Sequence, residues 1–151
     1  MNIGIRETSE KEILILSAHC EILTTNSVEN MIDVRQKFTA AGVYGRQEPL
    51  SSSSPLDKRD LNVVFGLDER TQKKDSFFHN ANSALSRSTW EKFPFDEKTT
   101  NIEDCMWGAE VIKNGYQIFY TPRASVYHYH GINQGGKFDR SEKNVNIIET
   151  L

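Results

Sequence analysis

The 151-residue sequence has only two cysteines, Cys20 and Cys105, and no long hydrophobic run. Two cysteines without a metal-type spacing favour reduced thiols in a cytosolic protein over a disulfide scaffold. The longest apolar stretch, ILIL within 11–18, is too short to cross a bilayer, and residues 1–10 lack the apolar segment of a signal peptide. We therefore expect a cytoplasmic protein.

The sequence also lacks a strong excess of charge of either sign. Its formal net charge is -3, and the basic residues are scattered among acids. A surface that binds nucleic acid would need basic residues gathered in one place. We therefore expect no nucleic-acid partner.

The first half of the chain has the pattern of an α/β domain. KEILILSAHC is typical of a buried parallel strand that ends at a functional edge. A helix follows, with Asn26 as its cap, Glu29 completing a capping box, and Gly42 as its stop. VYGR indicates a second strand. Strand, helix and strand in this order predict an α/β fold.

The second half is more mixed. QEPLSSSSPLDKRD predicts a loop, LNVVFGL fits either a helix or a strand, and SFFHNANSALSR predicts a strand before a helical turn capped by Ser88. A clear helix is predicted from Asn101 or Ile102 to Asn114, with Gly115 as its stop. YQIFY and ASVYHYH, separated by Pro122, indicate two short strands.

The predicted C-terminal helix begins with two acids, Glu103 and Asp104. Acids in a first helical turn often do no more than complement the helix dipole. Here they follow FPF and precede Trp107 by one turn, so they border an aromatic wall. A carboxylate in that setting can act as a general base if a hydroxyl comes within hydrogen-bond reach.

Histidines lie near the predicted ends of strands. His19 follows the first strand, and His128 and His130 lie on or just after the last one. Ligands gather at strand ends in α/β sheets. Imidazoles favour zinc or manganese over magnesium. A metal site and an ordinary packing role both stay open for these histidines.

At this point the motifs resemble a known family. FPFDEKTTNIEDCMWGAEVIKNGYQIFYTPRASVYHYH is similar to the C-terminal part of the catalytic domain of a family 2 glycosyltransferase of the GT-A fold. SFFHNANSALSRSTWEKFPFDE resembles its acceptor-side segment, and YGRQEP resembles bacterial rhamnosyltransferase-like members. The resemblance implies a partial catalytic domain over 1–134, a mixed sheet flanked by helices without the N-terminal nucleotide-binding half, and a polar tail over 135–151.

The resemblance also implies roles for individual residues. Asp104 would be the catalytic base, and Glu103 would support it or bind the acceptor. The residues implied to bind substrate are Asn80, Asn82, Trp107, Arg46 and Gln47. SAHC lies where the family has its Asp-x-Asp metal motif, so His19 and His128 would hold a divalent Mg or Mn ion, although Ser17 replaces the first acid.

The implied reaction is transfer of a sugar, with inversion, from a nucleotide-sugar donor to a glycan or a lipid-linked acceptor in bacterial surface polysaccharide synthesis. The implied reaction is compatible with a protein that associates peripherally with the inner face of the membrane. Two alternatives stay open. One is a non-catalytic remnant that binds carbohydrate, and the other is a metal-dependent hydrolase built on His19, His128 and Asp104.

Overall fold

The computed structural model describes residues 1–99 and 101–129, together with Val145. His130 and, apart from Val145, the predicted tail 135–151 lie outside the described residues. The predicted domain boundary at residue 134 stays a prediction.

The described part of the chain alternates short helices with strands. In chain order the elements are α1 (Asn2–Arg6), β1 (Glu12–Leu16), β2 (Cys20–Ile22), α2 (Ser27–Lys37), β3 (Gly42–Pro49), α3 (Pro55–Val64), β4 (Arg70–Gln72), β5 (Asn82–Ser86), α4 (Arg87–Lys92), α5 (Glu103–Lys113) and β6 (Ile118–His128). Within these residues, every helix is too short or too polar to cross a membrane.

One mixed sheet organises the fold. Its strand order is β1-β5-β3-β6-β2, and β4 also pairs with β6. Among the strands of the described residues, β3 and β6 run parallel, and the other pairs are antiparallel. Tyr44 and Leu61 belong to a large core cluster that also includes α5, while Met31 and Val34 of α2 form a second cluster. Helices on both faces of a mixed sheet confirm the predicted fold class.

The first strand differs from the prediction in its pairing. Among the described residues, β1 pairs only with β5 and runs antiparallel to it, so the expectation of a buried parallel strand is wrong. The carbonyl of Lys11 and the N–H of Ser17 bond to residues that flank β5. In an antiparallel ladder, every second residue hydrogen-bonds to the same neighbouring strand. The backbone groups of Glu12, Leu14 and Leu16 therefore point to the other, open edge of β1. Leu14 and Leu16 are also exposed, at 42% and 39%.

An open edge with exposed leucines predicts self-association, because unpaired backbone groups bond to a second chain. We expect the protein to form dimers or larger species at high concentration, and Leu14→Lys with Leu16→Lys to shift it toward monomer. Sedimentation velocity over a concentration series measures this. Val63→Lys with Leu67→Lys is the control, since both side chains are 74% exposed but lie away from this edge. A wild-type protein that stays monomeric throughout would contradict the prediction.

Several helix ends also differ from the prediction. α2 ends at Lys37, well before Gly42, and Thr39 takes the left-handed conformation with φ 49°. Asn26 is at the N-cap, but its side chain makes no capping bond. Part of the predicted loop forms α3, which Ser54 caps by accepting the N–H of Asp57. The predicted α5 is confirmed, and Gly115 follows it with φ 81°.

Two strand predictions are corrected as well. Within SFFHNANSALSR, only residues 82–86 form a strand, and Ser86 rather than Ser88 caps the next helix. The predicted pair of C-terminal strands is one strand, β6. Pro122 is tolerated inside it because the pairing with β3 is irregular there: Gly45 pairs with Thr121, and Gln47 pairs with Val126. This irregularity lies between the first half of β6 and the end that carries His128.

Candidate functional site

The two acids lie at the start of α5, as predicted. Asp104 Oδ2 accepts the backbone N–H of Asn80 at 3.1 Å, and its Oδ1 accepts the N–H of Cys105 at 2.9 Å. The carboxylate is half-buried. These two bonds fix the carboxylate against the segment that leads into β5.

Unpaired polar atoms surround this carboxylate. Both side-chain amide atoms of Asn80, and Oε2 of Glu103, are shielded from solvent and have no hydrogen-bond partner among the described residues. A buried polar atom without a partner costs about 1–3 kcal/mol. A ligand that carries hydroxyl groups would satisfy these atoms, so the start of α5 is suited to bind a polar molecule.

Gly108 allows α5 to approach the segment that carries Asn80. A β-carbon on Gly108 would lie 2.0 Å from the carbonyl oxygen of Ser76. The Cys105 thiol also lies 3.8 Å from the carbonyl of Phe78. This close packing holds Asp104 within hydrogen-bond distance of the Asn80 backbone.

His19 and His128 meet at the far end of β6. Cys20 pairs with His128 across β2 and β6, which brings the turn containing His19 over the strand end. The two Nε2 atoms are 3.0 Å apart. Ser17 Oγ lies 3.3 Å and 3.2 Å from the two ring nitrogens of His19. His128 is buried and His19 is exposed, so the pair faces solvent from one side.

A third histidine, His79, joins the acids to this pair. Its ring centroid lies 6.2 Å from that of His128, in an edge-on arrangement. Its Nδ1 accepts the N–H of Ala81 at 3.2 Å, which leaves the proton of the neutral ring on Nε2. His79 directly precedes Asn80, which contacts Asp104. Contacts therefore run without interruption from Asp104 to His19. Sequence reasoning missed His79, and its only signal was its place in HNAN.

The histidine pair brings two possible metal ligands together. Within the described residues, no set of three or more His, Cys, Asp or Glu side chains is placed to hold an ion. Asp104 therefore does not join His19 and His128 as a third ligand, which removes the geometric basis of the hydrolase alternative. The two Nε2 atoms are nevertheless close enough to face one cation together.

Neither cysteine supplies a thiolate to this region. Burial raises the pKa of the Cys20 thiol to about 11. Burial, followed by the charge of Asp104, raises the pKa of Cys105 to about 12. Both thiols are therefore protonated at neutral pH and are poor nucleophiles and poor metal ligands.

The other residues predicted to bind substrate lie deeper than expected. Asn82 is 3% exposed, and its amide donates to the carbonyl of Ala124 at 2.7 Å. Trp107 is also 3% exposed, and its indole N–H donates to the carbonyl of Phe93 at 2.8 Å. As placed, both side chains pack in the core, and a contact of either with substrate stays a prediction.

Arg46 and Gln47 occupy the second half of β3. The Arg46 side chain is 14% exposed, and its guanidinium lies 3.5 Å from Glu48 and 3.4 Å from Asn62 Oδ1. Gln47 is 1% exposed, and both of its amide atoms are without a partner among the described residues. A contact of either residue with substrate stays a prediction.

The chain resembles two curated bacterial enzymes in sequence. It is 30% identical to the O-antigen chain rhamnosyltransferase WbaN of Salmonella anatum, over 92% of this chain and 48% of that protein. It is 26% identical to the O-antigen chain rhamnosyltransferase RfbN of Salmonella typhimurium, with the same coverage. The chain thus spans about half the length of these relatives. No protein-family profile matches it.

Solved structures resemble the fold. The mannosyltransferase PcManGT of Pyrobaculum calidifontis, in complex with GDP-Man and Mn2+, superposes with a TM-score of 0.60 at 15% identity, over 95% of this chain and 38% of that one. GalNAc-T7 with UDP, GalNAc and Mn2+ superposes with a TM-score of 0.67 at 13% identity, over 98% and 33%. The resemblance to glycosyltransferases is confirmed, and the fold matches part of a glycosyltransferase domain of the GT-A type.

Proposed function

We propose that this chain carries the acceptor-side half of a family 2 glycosyltransferase that adds a deoxyhexose, such as rhamnose, to a glycan or lipid-linked acceptor. The observation that supports it best is the start of α5, where Asp104 is held by the Asn80 N–H beside unpaired polar atoms of Asn80 and Glu103. The sequence similarity to O-antigen rhamnosyltransferases supports the choice of sugar. The reaction would take place in the cytoplasm, at the inner face of the membrane.

Asp104 is the general base in this proposal. The acceptor hydroxyl oxygen attacks the anomeric carbon as the bond to the diphosphate breaks, and the hydroxyl proton moves to the Asp104 carboxylate. A single direct displacement inverts the configuration, so one base is sufficient. The N–H of Asn80 holds Oδ2 in place, and the side chains of Asn80 and Glu103 bind other acceptor hydroxyls. Orienting the hydroxyl in this way lowers the entropic part of the barrier.

His19 and His128 would hold a divalent metal ion. The solved neighbours contain Mn2+, and two imidazoles suit manganese better than magnesium. The Nε2 atoms, 3.0 Å apart, fit two ligands of one ion. When bound, the ion would neutralise the charge that develops on the diphosphate leaving group. Ser17 cannot replace a carboxylate ligand, so we expect weaker metal binding than in a site with an additional acid.

A transfer assay tests the proposal. The chain is assayed alone and joined to the N-terminal half of the Salmonella anatum relative, with a nucleoside-diphosphate rhamnose, Mn2+ and a lipid-linked glycan. We expect a product one deoxyhexose heavier, seen by mass spectrometry, from the joined protein and none from the chain alone. A joined protein that folds by circular dichroism but transfers no sugar to a panel of acceptors would refute the proposal.

A further inference from the structure

A cavity of about 300 Å³ lies beside the histidine pair, and no step of the proposed reaction uses it. His19 lines it on one side, and Glu21, Leu50, Tyr127 and Tyr129 are among its other lining residues. His19 also contacts His128, so the cavity adjoins the candidate site. Its volume is at the lower end of the range of about 300–1,000 Å³ that is usual for small-molecule sites.

Strand pairing brings these side chains together. Glu21 of β2 pairs with Tyr127 of β6, and directly paired residues on neighbouring strands project to the same face. Glu48 of β3 also pairs with Tyr127, which brings the following Leu50 to the same end of the sheet. Tyr129 comes two residues after Tyr127 and is 70% exposed. The cavity is therefore built on the sheet rather than on one loop.

The chemistry of the cavity wall is mixed. Within the described part of the chain, the hydroxyls of Tyr127 and Tyr129 and the carboxylate of Glu21 make no hydrogen bond and no ion pair. A tyrosine offers an apolar ring with a polar tip, and a carboxylate accepts two or more hydroxyl donors. A pyranose ring has the matching surface, with C–H groups on one face and hydroxyls at its rim. A nucleotide would need a larger volume and cationic groups for its phosphates.

We propose that this cavity binds one pyranose ring of the acceptor glycan, beyond the sugar that is attacked. The ring packs on Tyr129, and Glu21 accepts its hydroxyls. The identification of this sugar as part of an acceptor rests on the proposed function, but binding of the sugar to the cavity does not require sugar transfer. The cavity would select acceptors that are at least two sugars long.

Chemical-shift mapping tests the proposal on the whole chain. Methyl α-L-rhamnopyranoside is titrated into the 15N-labelled protein, with glycerol as the negative control. We expect shifts at the amides of Glu21, Tyr127 and Tyr129. Tyr129→Ala should weaken the binding about fivefold to tenfold, the loss expected for one aromatic contact. Glu21→Gln should weaken it less. Leu67→Ala, at an exposed leucine elsewhere, should leave it unchanged.

Two results would overturn the inference. One is the absence of any shift at millimolar sugar, and the other is a set of shifts around Asn80 and Cys105 instead, with no effect of Tyr129→Ala. The outcome is separable from that of the transfer assay. Shifts at the tyrosine cavity in a protein that transfers no sugar would support this inference while the proposed function failed.

Discussion

Replacing Asp104 by asparagine is expected to lower the rate of sugar transfer by about 10²- to 10⁴-fold, the usual contribution of a general base. The amide has the same shape, and its oxygen can still accept the N–H of Asn80, while its NH2 group replaces the oxygen that accepts the N–H of Cys105. The contact with Asn80 should therefore be kept, with a small local adjustment at Cys105. The amide cannot take the proton of the acceptor hydroxyl at neutral pH. The loss should therefore be in kcat, with binding of the donor nearly unchanged.

The measurement is initial-rate transfer by the joined protein described above, together with a donor titration. Glu110→Gln is the matched control, because Glu110 is an exposed acid on the same helix, and its side chain accepts a hydrogen bond from Asn114 alone among the described residues. We expect its rate to stay close to wild type. Transfer by Asp104→Asn within a few-fold of wild type would show that another group is the base.

The sequence predicts α2 and α5 well, because local signals determine them. Both have apolar residues at helical spacing, and α5 carries acids in its first turn and Gly115 after its end. Such signals act within a few residues and do not depend on distant partners. The end of α2 was misplaced because the turn at Thr39 uses a non-glycine residue in the left-handed conformation, which sequence reasoning does not expect.

Strand pairing was harder to predict, because it depends on partners that are distant in sequence. ILIL has the composition of a buried parallel strand, yet β1 is an antiparallel edge strand with two exposed leucines. Pro122 suggested a break between two strands, but the irregular pairing of β6 with β3 tolerates a residue that lacks an N–H. Neither feature can be deduced from a window of neighbouring residues.

The candidate site was predicted in part. The positions of Glu103 and Asp104 followed from helix-start signals, and their roles came from the resemblance. Their contact with Asn80 depends on a packing distance that Gly108 makes possible, and no sequence pattern reports it.

Trp107 illustrates the opposite problem, because an aromatic residue one turn after an acid fits a ligand wall and a core position equally well. Its burial against Phe78 and Phe95 places it in the core.

Replacing Gly45 by alanine is expected to destabilise the protein by about 3 kcal/mol, the upper end of the usual range for a substitution that forces atoms together in a packed core. A β-carbon there would lie 2.1 Å from the carbonyl oxygen of Ala124 and 2.4 Å from Nδ2 of Asn82. These two groups form a buried hydrogen bond of 2.7 Å. The substitution must therefore break that bond or move β3 away from β6, and both changes are costly.

Thermal unfolding followed by circular dichroism measures this effect. A domain of this size loses about 2–4 °C per kcal/mol, so the midpoint should fall by about 6–12 °C. Gly66→Ala is the control, because a β-carbon at Gly66 would have no neighbour within 4 Å, and its midpoint should stay close to wild type.

The strain should also reach the histidine pair, because His128 lies just beyond the irregular part of β6. The ring signals of His19 and His128 should then shift in the NMR spectrum of Gly45→Ala but not in that of Gly66→Ala. A midpoint for Gly45→Ala equal to that of the control would mean that β3 and β6 do not approach each other as closely as this.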